Sequence, residues 1–135
     1  MSSDTVVIDA SVLVAIFKSE ADSLLLIQRI VSYNKRLLSA ATWLEAAMVC
    51  ESVSQRGGGD ADFDELIEDL NVEVISFTPE QAQLAFDAFK RFGKGRGTKA
   101  SLNFGDCFTY ALAKAFQAPL LYKGIDFAQT DLEPA

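Results

Sequence analysis

A short run of β-branched residues near the start of the chain, Thr5–Ile8, limits the possible folds more than any other feature. A continuous β-branched run of this length is typical of a strand that is buried on both faces of a parallel sheet. Three later segments also predict strands, namely Arg36–Ser39, Val72–Phe77 and Pro119–Tyr122. Because helical segments alternate with them, we expect one α/β domain over residues 1–135, a three-layer α/β/α sandwich with a mainly parallel central sheet.

Six segments of helical periodicity lie between these strands, two after each of the first three strands. The clearest helix start is Thr78–Gln81, where threonine is a good N-cap, proline suits the first helical position and glutamine the third. Gly93, Gly95 and Gly97 end that helix. The other predicted helices are Ala10–Phe17, Ala21–Tyr33, Ala41–Ser54, Asp62–Leu70 and Asn103–Phe116.

The absence of histidine removes several classes of catalytic site. A Ser-His-Asp triad is excluded, and so is metal-free RNA cleavage with imidazole as acid and base. Zinc bound by Cys and His is excluded too, and Cys50 and Cys107 are too few for a Cys-only site. Both cysteines fall in predicted helices, so we expect buried free thiols and a cytoplasmic protein. Catalysis by this chain must use carboxylates, hydroxyls, lysine or a hard metal ion.

The net charge of −7 argues by itself against a nucleic-acid partner. However, no acidic residue lies between Ala88 and Gly105, and this segment carries five cations. It is either a solvated loop or a segment that grips RNA phosphates, with Lys94, Arg96 and Lys99 as candidate contacts. No apolar run approaches the ~18 residues that a membrane-spanning helix needs, so we expect no membrane partner.

Four acidic residues stand where the expected fold brings them to one edge of the sheet. Asp9 ends the first strand, Glu45 lies in the first turns of the helix after the second strand, and Asp126 follows the fourth strand. In an open parallel sheet, ligands bind beyond the carboxyl ends of the strands, where the connecting helices begin. Asp106 joins this group if the segment 93–102 returns the chain to that edge. We therefore expect these four side chains to meet in one site.

Each acid also has a purely structural alternative. Asp9 could cap the helix that follows it, and Asp106 could be the capping partner of Asn103. Asp126 could be a loop acid in water. Glu45 is harder to explain structurally, because its helical neighbours are apolar and an unpaired charge on a buried face is costly. Those neighbours are Ala41, Met48 and Val49.

Four converging carboxylates would repel one another, so either their pKa values rise or a cation neutralises them. A site with oxygen ligands alone favours a hard ion, Mg²⁺ or Mn²⁺. Such an ion polarises a phosphoryl oxygen and lowers the pKa of bound water, which allows attack on phosphorus near neutral pH. The sequence leaves open whether one ion or two bind.

Four segments of the chain resemble the PIN-domain ribonucleases and, more narrowly, the VapC toxins of bacterial toxin–antitoxin pairs. They are Val7–Ser11, Thr42–Glu45, Leu102–Cys107 and Leu120–Phe127, which span nearly the whole chain in the family's order. The most specific piece is Asn-Phe-Gly-Asp-Cys, followed by a Tyr-Ala-Leu-Ala helix.

The resemblance implies that Asp9 and Asp106 bind the metal ion, with Glu45 and Asp126 completing the acidic cluster as supporting ligands or water positioners. It also implies supporting polar residues near the site, which here are Ser11, Asn103 and Thr130. One position departs from the family pattern: Ile125 stands where asparagine is common. The turn that presents Asp126 can therefore differ in this chain.

The implied activity is Mg²⁺-dependent endonucleolytic cleavage of RNA by a homodimer. A cognate VapB-type antitoxin would inhibit it by laying an extended or helical tail across the acids, often with an arginine. The segment Leu24–Ile27 is apolar nearly all round, which fits either a partner surface or a fully buried helix.

Two other functions stay open. One is a module of the same fold that binds RNA or protein without cutting, with Ile125 as its signature. The other is a phosphoacceptor signalling domain, since Asp9 ends the first strand and Lys123 follows the fourth. The second is weak, because Phe77 and Thr78 occupy the strand end where such a domain carries an aspartate.

Overall fold

Four parallel strands form the central sheet in the order β3-β2-β1-β4. In the computed structural model these strands are β1 (Thr5–Ile8), β2 (Lys35–Ser39), β3 (Glu73–Ile75) and β4 (Leu120–Leu121). Val7 of β1 pairs with Leu37 on one side and with Leu120 on the other. The structure describes residues 4–55, 57–97 and 99–135, so positions 1–3, 56 and 98 of the expected domain lie outside the described residues.

Helices cover both faces of this sheet, as expected for a three-layer α/β/α sandwich. Alternate residues of β1 enter two separate cores: Val6 and Ile8 pack among α1 to α4, whereas Val7 packs against α5 and α6. The described helices are α1 (Ala10–Phe17), α2 (Ser23–Val31), α3 (Ala40–Val53), α4 (Gly59–Asp69), α5 (Pro79–Phe92) and α6 (Phe104–Phe116). Every residue of β1 is buried, as its continuous β-branched sequence predicted.

The boundaries of two predicted strands were wrong. The segment predicted as a strand over 72–77 pairs only at Glu73–Ile75, because the next residues already prepare α5. Thr78 accepts a hydrogen bond from the backbone N–H of Gln81, and the Gln81 side chain donates to the Ser76 carbonyl. The last strand is only two residues long, and its outer edge pairs with the C-terminal residues: the backbone N–H of Leu120 donates to the carbonyl of Glu133.

The connections between strands reverse direction at β1, which sets the place of the site. The chain leaves β1 toward β2 and β3 on one side and returns through α5 and α6 to β4 on the other side. The carboxyl ends of β1 and β4 therefore flank a topological switch point, the usual ligand position in an open parallel sheet. The backbone N–H of Asp9 donates to the carbonyl of Leu121 and joins the two strand ends.

The expected state of the thiols is confirmed, since Cys50 and Cys107 are both buried and free. Among the described residues, no helix is both long enough and apolar enough to cross a membrane.

Candidate active site

All four acids predicted from the sequence line one pocket of about 290 Å³ at this switch point. We call it the acid pocket and define it by Asp9, Glu45, Asp106 and Asp126. The four residues come from the end of β1, from α3, from α6 and from the turn after β4. The start of α6 does lie at this edge, because Asp106 lines the pocket together with the other three acids. The segment 93–102 before it is a closed loop, in which the backbone N–H of Lys94 donates to the carbonyl of Leu102.

Asp9 both caps α1 and lines the acid pocket, so its role as a cap does not remove it from the candidate site. Its Oδ2 accepts hydrogen bonds from the backbone N–H of Ser11 at 3.1 Å and from the Ser11 hydroxyl at 2.6 Å. Its Oδ1 accepts a hydrogen bond from the Thr109 hydroxyl at 2.9 Å. Both oxygens of this buried carboxylate are therefore held by fixed donors.

Asp106 is part of a capping box at the start of α6. Its Oδ2 accepts from the backbone N–H of Asn103 at 3.0 Å, and its own N–H donates to the Asn103 side chain at 2.9 Å. The residue is only 9% exposed, and this burial is the main reason that the pKa of Asp106 rises to about 7. The Asn103 hydrogen bond opposes the rise, whereas the charges of the other three acids add to it.

Glu45 stands on α3 among apolar residues, but the expectation that this face is buried was wrong. Glu45 itself is exposed, and so are its neighbours Met48 and Val49. One side of its carboxylate is nevertheless shielded by the first turn of α6, at Gly105. A methyl group at Gly105 would lie 2.5 Å from Oε2 of Glu45, so only glycine leaves the carboxylate this space.

This shielding has an electrostatic consequence. Burial of the carboxylate raises the pKa of Glu45, and the charge of Asp9 raises it further. Glu45 and Asp106 thus both bind protons more readily than free carboxyl groups do, which is what mutual repulsion in a partly dry pocket predicts.

Asp126 is exposed and reaches the acid pocket from the turn after β4. The unusual Ile125 does not prevent this, because its side chain is 82% exposed and points away from the core. Phe127 is buried in the core beneath the turn and holds it in place. The altered residue therefore changes the outer surface of the turn, while the acid still lines the pocket.

Two buried threonines that sequence reasoning missed lie beneath the acids. The Thr109 hydroxyl is within 3.1 Å of the Thr42 hydroxyl, in addition to its bond to Asp9. Thr42 precedes Glu45 by three residues on α3, and Thr109 follows Asp106 by three on α6. Residues three apart share one face of a helix, so this spacing was a signal that could have located them.

A lysine also lines the acid pocket, but its charge is already paired. The ammonium group of Lys123 lies 2.7 Å from Glu20 and 3.1 Å from Asp22. Its backbone N–H donates to the hydroxyl of Ser11, which connects the turn after β4 to the cap of α1. This engagement removes the support that Lys123 lent to the phosphoacceptor interpretation.

Other residues selected from the sequence lie outside the acid pocket. Thr130 is engaged within its own turn, where its hydroxyl donates to the Phe127 carbonyl. Lys99 is exposed, and the Arg96 guanidinium lies over the ring of Phe89. Lys94 lines a neighbouring cavity of about 630 Å³ between α5 and α6, which we call the apolar groove. Its apolar residues include Phe77, Ala85, Phe86, Phe89, Phe104 and Phe108, and Asn103 lines both it and the acid pocket.

The donor set of the acid pocket fits a hard divalent ion bound partly through water. Among the residues that the structure describes, no three acidic or cysteine side chains form a ready-made metal site. Mg²⁺ in proteins commonly takes one or two carboxylates and keeps several waters, so a complete cage is not needed. Lys123 is the only cation among the described residues that line the pocket, and it is paired elsewhere. The excess of negative oxygens is thus left for a cation.

Comparison with known proteins finds matches over nearly the whole chain. The family model of the PIN domain matches residues 6–133. The ribonuclease VapC of Mycolicibacterium smegmatis is 43% identical over 126 residues, covering 93% of this chain and 96% of the relative. The ribonuclease VapC28 of Mycobacterium tuberculosis is 40% identical over 129 residues, covering 96% of both chains.

Solved structures share the fold at low sequence identity. VapC20 of Mycobacterium tuberculosis, described as a sarcin-ricin loop cleaving toxin, aligns with a TM-score of 0.77 at 12% identity, over 96% of this chain and 98% of its own. VapBC2 of Rickettsia felis, solved with a DNA fragment from its promoter, aligns with a TM-score of 0.75 at 14% identity, over 97% of both chains.

Proposed function

This chain belongs to the PIN-domain family, with VapC ribonucleases among its relatives, and on that premise we propose that it is a Mg²⁺-dependent endoribonuclease, the toxin of a type II toxin–antitoxin pair. One observation carries the proposal: acids from four separate segments line a single pocket that has no free cation among its described residues. Because the chain has no histidine, this carboxylate cluster is also its strongest candidate for hydrolytic chemistry.

Asp9 and Asp106 are the proposed ligands of the metal ion, and Glu45 and Asp126 would serve as supporting ligands or position its water molecules. A Mg²⁺ or Mn²⁺ ion bound here would polarise a phosphoryl oxygen of the RNA and lower the pKa of a bound water molecule. Asp9 is suited to direct ligation because donors on both sides fix its orientation. Glu45 is suited to accept the proton of the attacking water, since a carboxylate of raised pKa is the better base near neutral pH.

We propose RNA as the substrate, with Lys94, Arg96 and Lys99 as weaker candidates for phosphate contacts. Of these, Lys94 lines the apolar groove, which shares Asn103 with the acid pocket. A strand of RNA that enters the acid pocket would therefore have to pass over the start of α6 to reach Lys94.

The proposed antitoxin partner would bind the aliphatic surface that flanks α1. Leu24 and Leu25 on α2 are exposed, so the alternative of a fully buried helix was wrong. Leu44 and Met48 on α3 are exposed as well, and both helices pack against α1. Exposed apolar patches of this kind mark protein contacts, and an arginine from the partner would find four acids beside them. Binding in the cytoplasm is in keeping with the two reduced thiols.

We further propose that a second copy of the chain covers the apolar groove. A two-fold symmetric interface uses the same patch on both subunits, so the patch must complement itself. Here one patch offers both a groove and a projecting ring, that of Phe104, which is 82% exposed.

The test of the proposed activity uses purified protein with transfer RNA and a ribosomal RNA fragment, in Mg²⁺ or in EDTA. We expect cleavage in Mg²⁺ alone and a loss of at least ~100-fold in Asp9→Asn, which removes a charged ligand. Asp64→Asn on the exposed side of α4 is the matched control, since it makes the same change of charge at a residue that does not line the pocket. RNA binding without cleavage would favour the non-cutting module, and cleavage that persists in EDTA would contradict the proposal.

A further inference from the structure

The hydroxyl groups of Thr42 and Thr109 form a buried pair directly beneath the acids. Thr42 is 1% exposed and Thr109 is completely buried, so neither hydroxyl has water as a substitute partner. Each stands one helical turn from an acid of the pocket, Thr42 from Glu45 and Thr109 from Asp106. The pair therefore joins α3 to α6 at the level where both helices contribute a carboxylate.

The direction of the hydrogen bonds follows from counting protons. A threonine hydroxyl has one proton to donate. Thr109 donates its proton to Oδ1 of Asp9, because an ionised carboxylate can only accept. The 3.1 Å contact between the hydroxyls is then a bond from Thr42 to Thr109. The result is a relay of two hydroxyls that ends on the charged oxygen of Asp9.

We propose that Thr109 is a positioning residue that holds Asp9 in the orientation that binds the metal ion, and that Thr42 supports it by orienting the Thr109 hydroxyl. The proposal rests on the proposed function, because it assigns the pair a role in metal binding. Neither threonine touches the ion or the substrate. They act through Asp9, as the outer partners of metal ligands do in other metal sites.

The geometry explains why Asp9 needs this second support. Ser11 holds Oδ2 from the side of α1, and Thr109 holds Oδ1 from the side of α6. With Ser11 alone, the carboxylate keeps one fixed oxygen and can rotate the other away from the pocket. Loss of an outer hydrogen bond to a metal ligand typically weakens metal binding by ~10–100-fold, so a similar loss is expected for Thr109→Val.

The alternative role for the threonine pair is purely structural: it fastens α3 to α6 and has no effect on metal binding. The two roles predict different results when one or both hydroxyls are removed. Thr109→Val leaves the Thr42 hydroxyl buried without its acceptor, which destabilises the fold. The double variant Thr42→Val/Thr109→Val replaces both hydroxyls by methyl groups of similar shape, which recovers much of that stability. Asp9 lacks its Oδ1 donor in both variants.

The experiment measures Mn²⁺ affinity of the intact chain by electron paramagnetic resonance, beside the thermal unfolding midpoint. We expect Thr109→Val to bind Mn²⁺ ~10–100-fold more weakly and to unfold at a lower temperature. The double variant should unfold at a higher temperature than Thr109→Val and still bind Mn²⁺ as weakly. Thr109→Ser, which keeps the hydroxyl, should bind within ~3-fold of the unaltered protein, and Thr42→Val should lose less than Thr109→Val.

Thr5→Val is the matched control, because Thr5 is a buried threonine at the opposite end of β1. The proposal is overturned if Thr109→Val binds Mn²⁺ as the unaltered protein does, or if affinity follows the unfolding temperature across the series. If the unaltered protein does not bind Mn²⁺, the proposed function itself is contradicted. The two failures are distinguishable, because the failure of the Thr109 proposal is seen only when the unaltered protein binds Mn²⁺, whereas the failure of the proposed function is seen when it does not.

Discussion

The acid pocket and the apolar groove lie on two sides of the start of α6 and share Asn103, yet they are built by different means. In the acid pocket, short hydrogen bonds from hydroxyl and backbone groups hold two of the four carboxylates. In the groove, rings pack edge to face, with the centroids of Phe104 and Phe108 4.8 Å apart. Binding in the acid pocket would depend on the positions of individual atoms, whereas binding in the apolar groove would depend on the apolar area that is buried.

Three consecutive residues illustrate the difference. Phe104 lines the groove, Gly105 makes room for Glu45, and Asp106 lines the acid pocket. Successive residues of a helix point about 100° apart, so one helical turn can serve two surfaces. A substitution in this turn should therefore change either metal binding or self-association, but not both.

The largest effect is expected for Asp106→Asn. Loss of this carboxylate should weaken Mn²⁺ binding by at least ~100-fold. The same variant should stabilise the metal-free protein by ~1–3 kcal/mol at pH 8, because the pKa of the folded carboxyl is about 7, above its usual value of 3.8. Ionisation of Asp106 thus lowers stability as pH rises from ~4 to ~7, and an amide avoids that loss. Urea unfolding in EDTA at pH 4, 6 and 8 measures the gain, which should grow with pH.

Asp131→Asn is the matched control, and we expect it to change the stability of the protein at pH 8 in the opposite direction. Hydrogen bonds from Tyr110 and Lys114 hold the pKa of Asp131 below its usual value despite partial burial. Its ionised form stabilises the fold, so the amide should destabilise it at pH 8. If Asp106→Asn were also destabilising at pH 8, the account of repulsion within the acid pocket would fail.

The second effect concerns Gly105→Ala. The new methyl group would displace the Glu45 carboxylate, which lies at the end of a flexible side chain and can move aside. RNA cleavage should fall by ~10–100-fold, while stability is unchanged or slightly higher, because alanine favours helix over glycine by ~0.5–1 kcal/mol. Cleavage assays and thermal unfolding on the same samples measure the two quantities.

Gly59→Ala offers the contrasting case. A methyl group there would lie 2.5 Å from the backbone oxygen of Cys50, which cannot move aside as a side chain does. This variant should lose stability and keep the acid pocket intact. Full activity in Gly105→Ala would show that the position of Glu45 is unimportant.

The third effect is the pH dependence of metal binding. Metal ligation requires the ionised form of Asp106, whose pKa in the folded protein is about 7. Mn²⁺ affinity should therefore rise roughly tenfold between pH 6 and pH 8 and change little at higher pH. Titrations of Mn²⁺ at several pH values check this, and an affinity that is constant from pH 6 to pH 8 would exclude Asp106 as a titrating ligand.

The smallest effect on metal binding in the acid pocket is expected from a substitution in the apolar groove. Phe86→Ser removes an exposed ring from the groove and should change Mn²⁺ affinity by no more than about twofold. It should weaken self-association measured by sedimentation, since a buried aromatic ring stabilises an interface by ~1–3 kcal/mol. Phe116→Ser, at the far end of α6, is the control for loss of an exposed phenylalanine. Equal self-association of both variants would remove the groove as the site of dimerisation.

The order of elements and the positions of the acids could be predicted from sequence, because each depends on local pattern. Thr5–Ile8 is β-branched throughout and is a buried strand, and Thr78–Gln81 is the helix start that its capping residues indicate. The environment of Glu45 could not be predicted. Apolar neighbours on α3 indicated burial, but a helix can present an apolar face to a partner as well as to its own core.

The sequence by itself determined which residue types stand at the ends of strands and the starts of helices, since strand and helix signals lie within a few neighbouring residues. Only the tertiary structure decided that Thr42 and Thr109, 67 residues apart, meet beneath Asp9. It also decided that Gly105 lies against Glu45, and that Lys123 pairs with Glu20. These contacts join distant segments, and their hydrogen bonds and charges depend on distances of a few ångströms that only the packing of helices on the sheet can set.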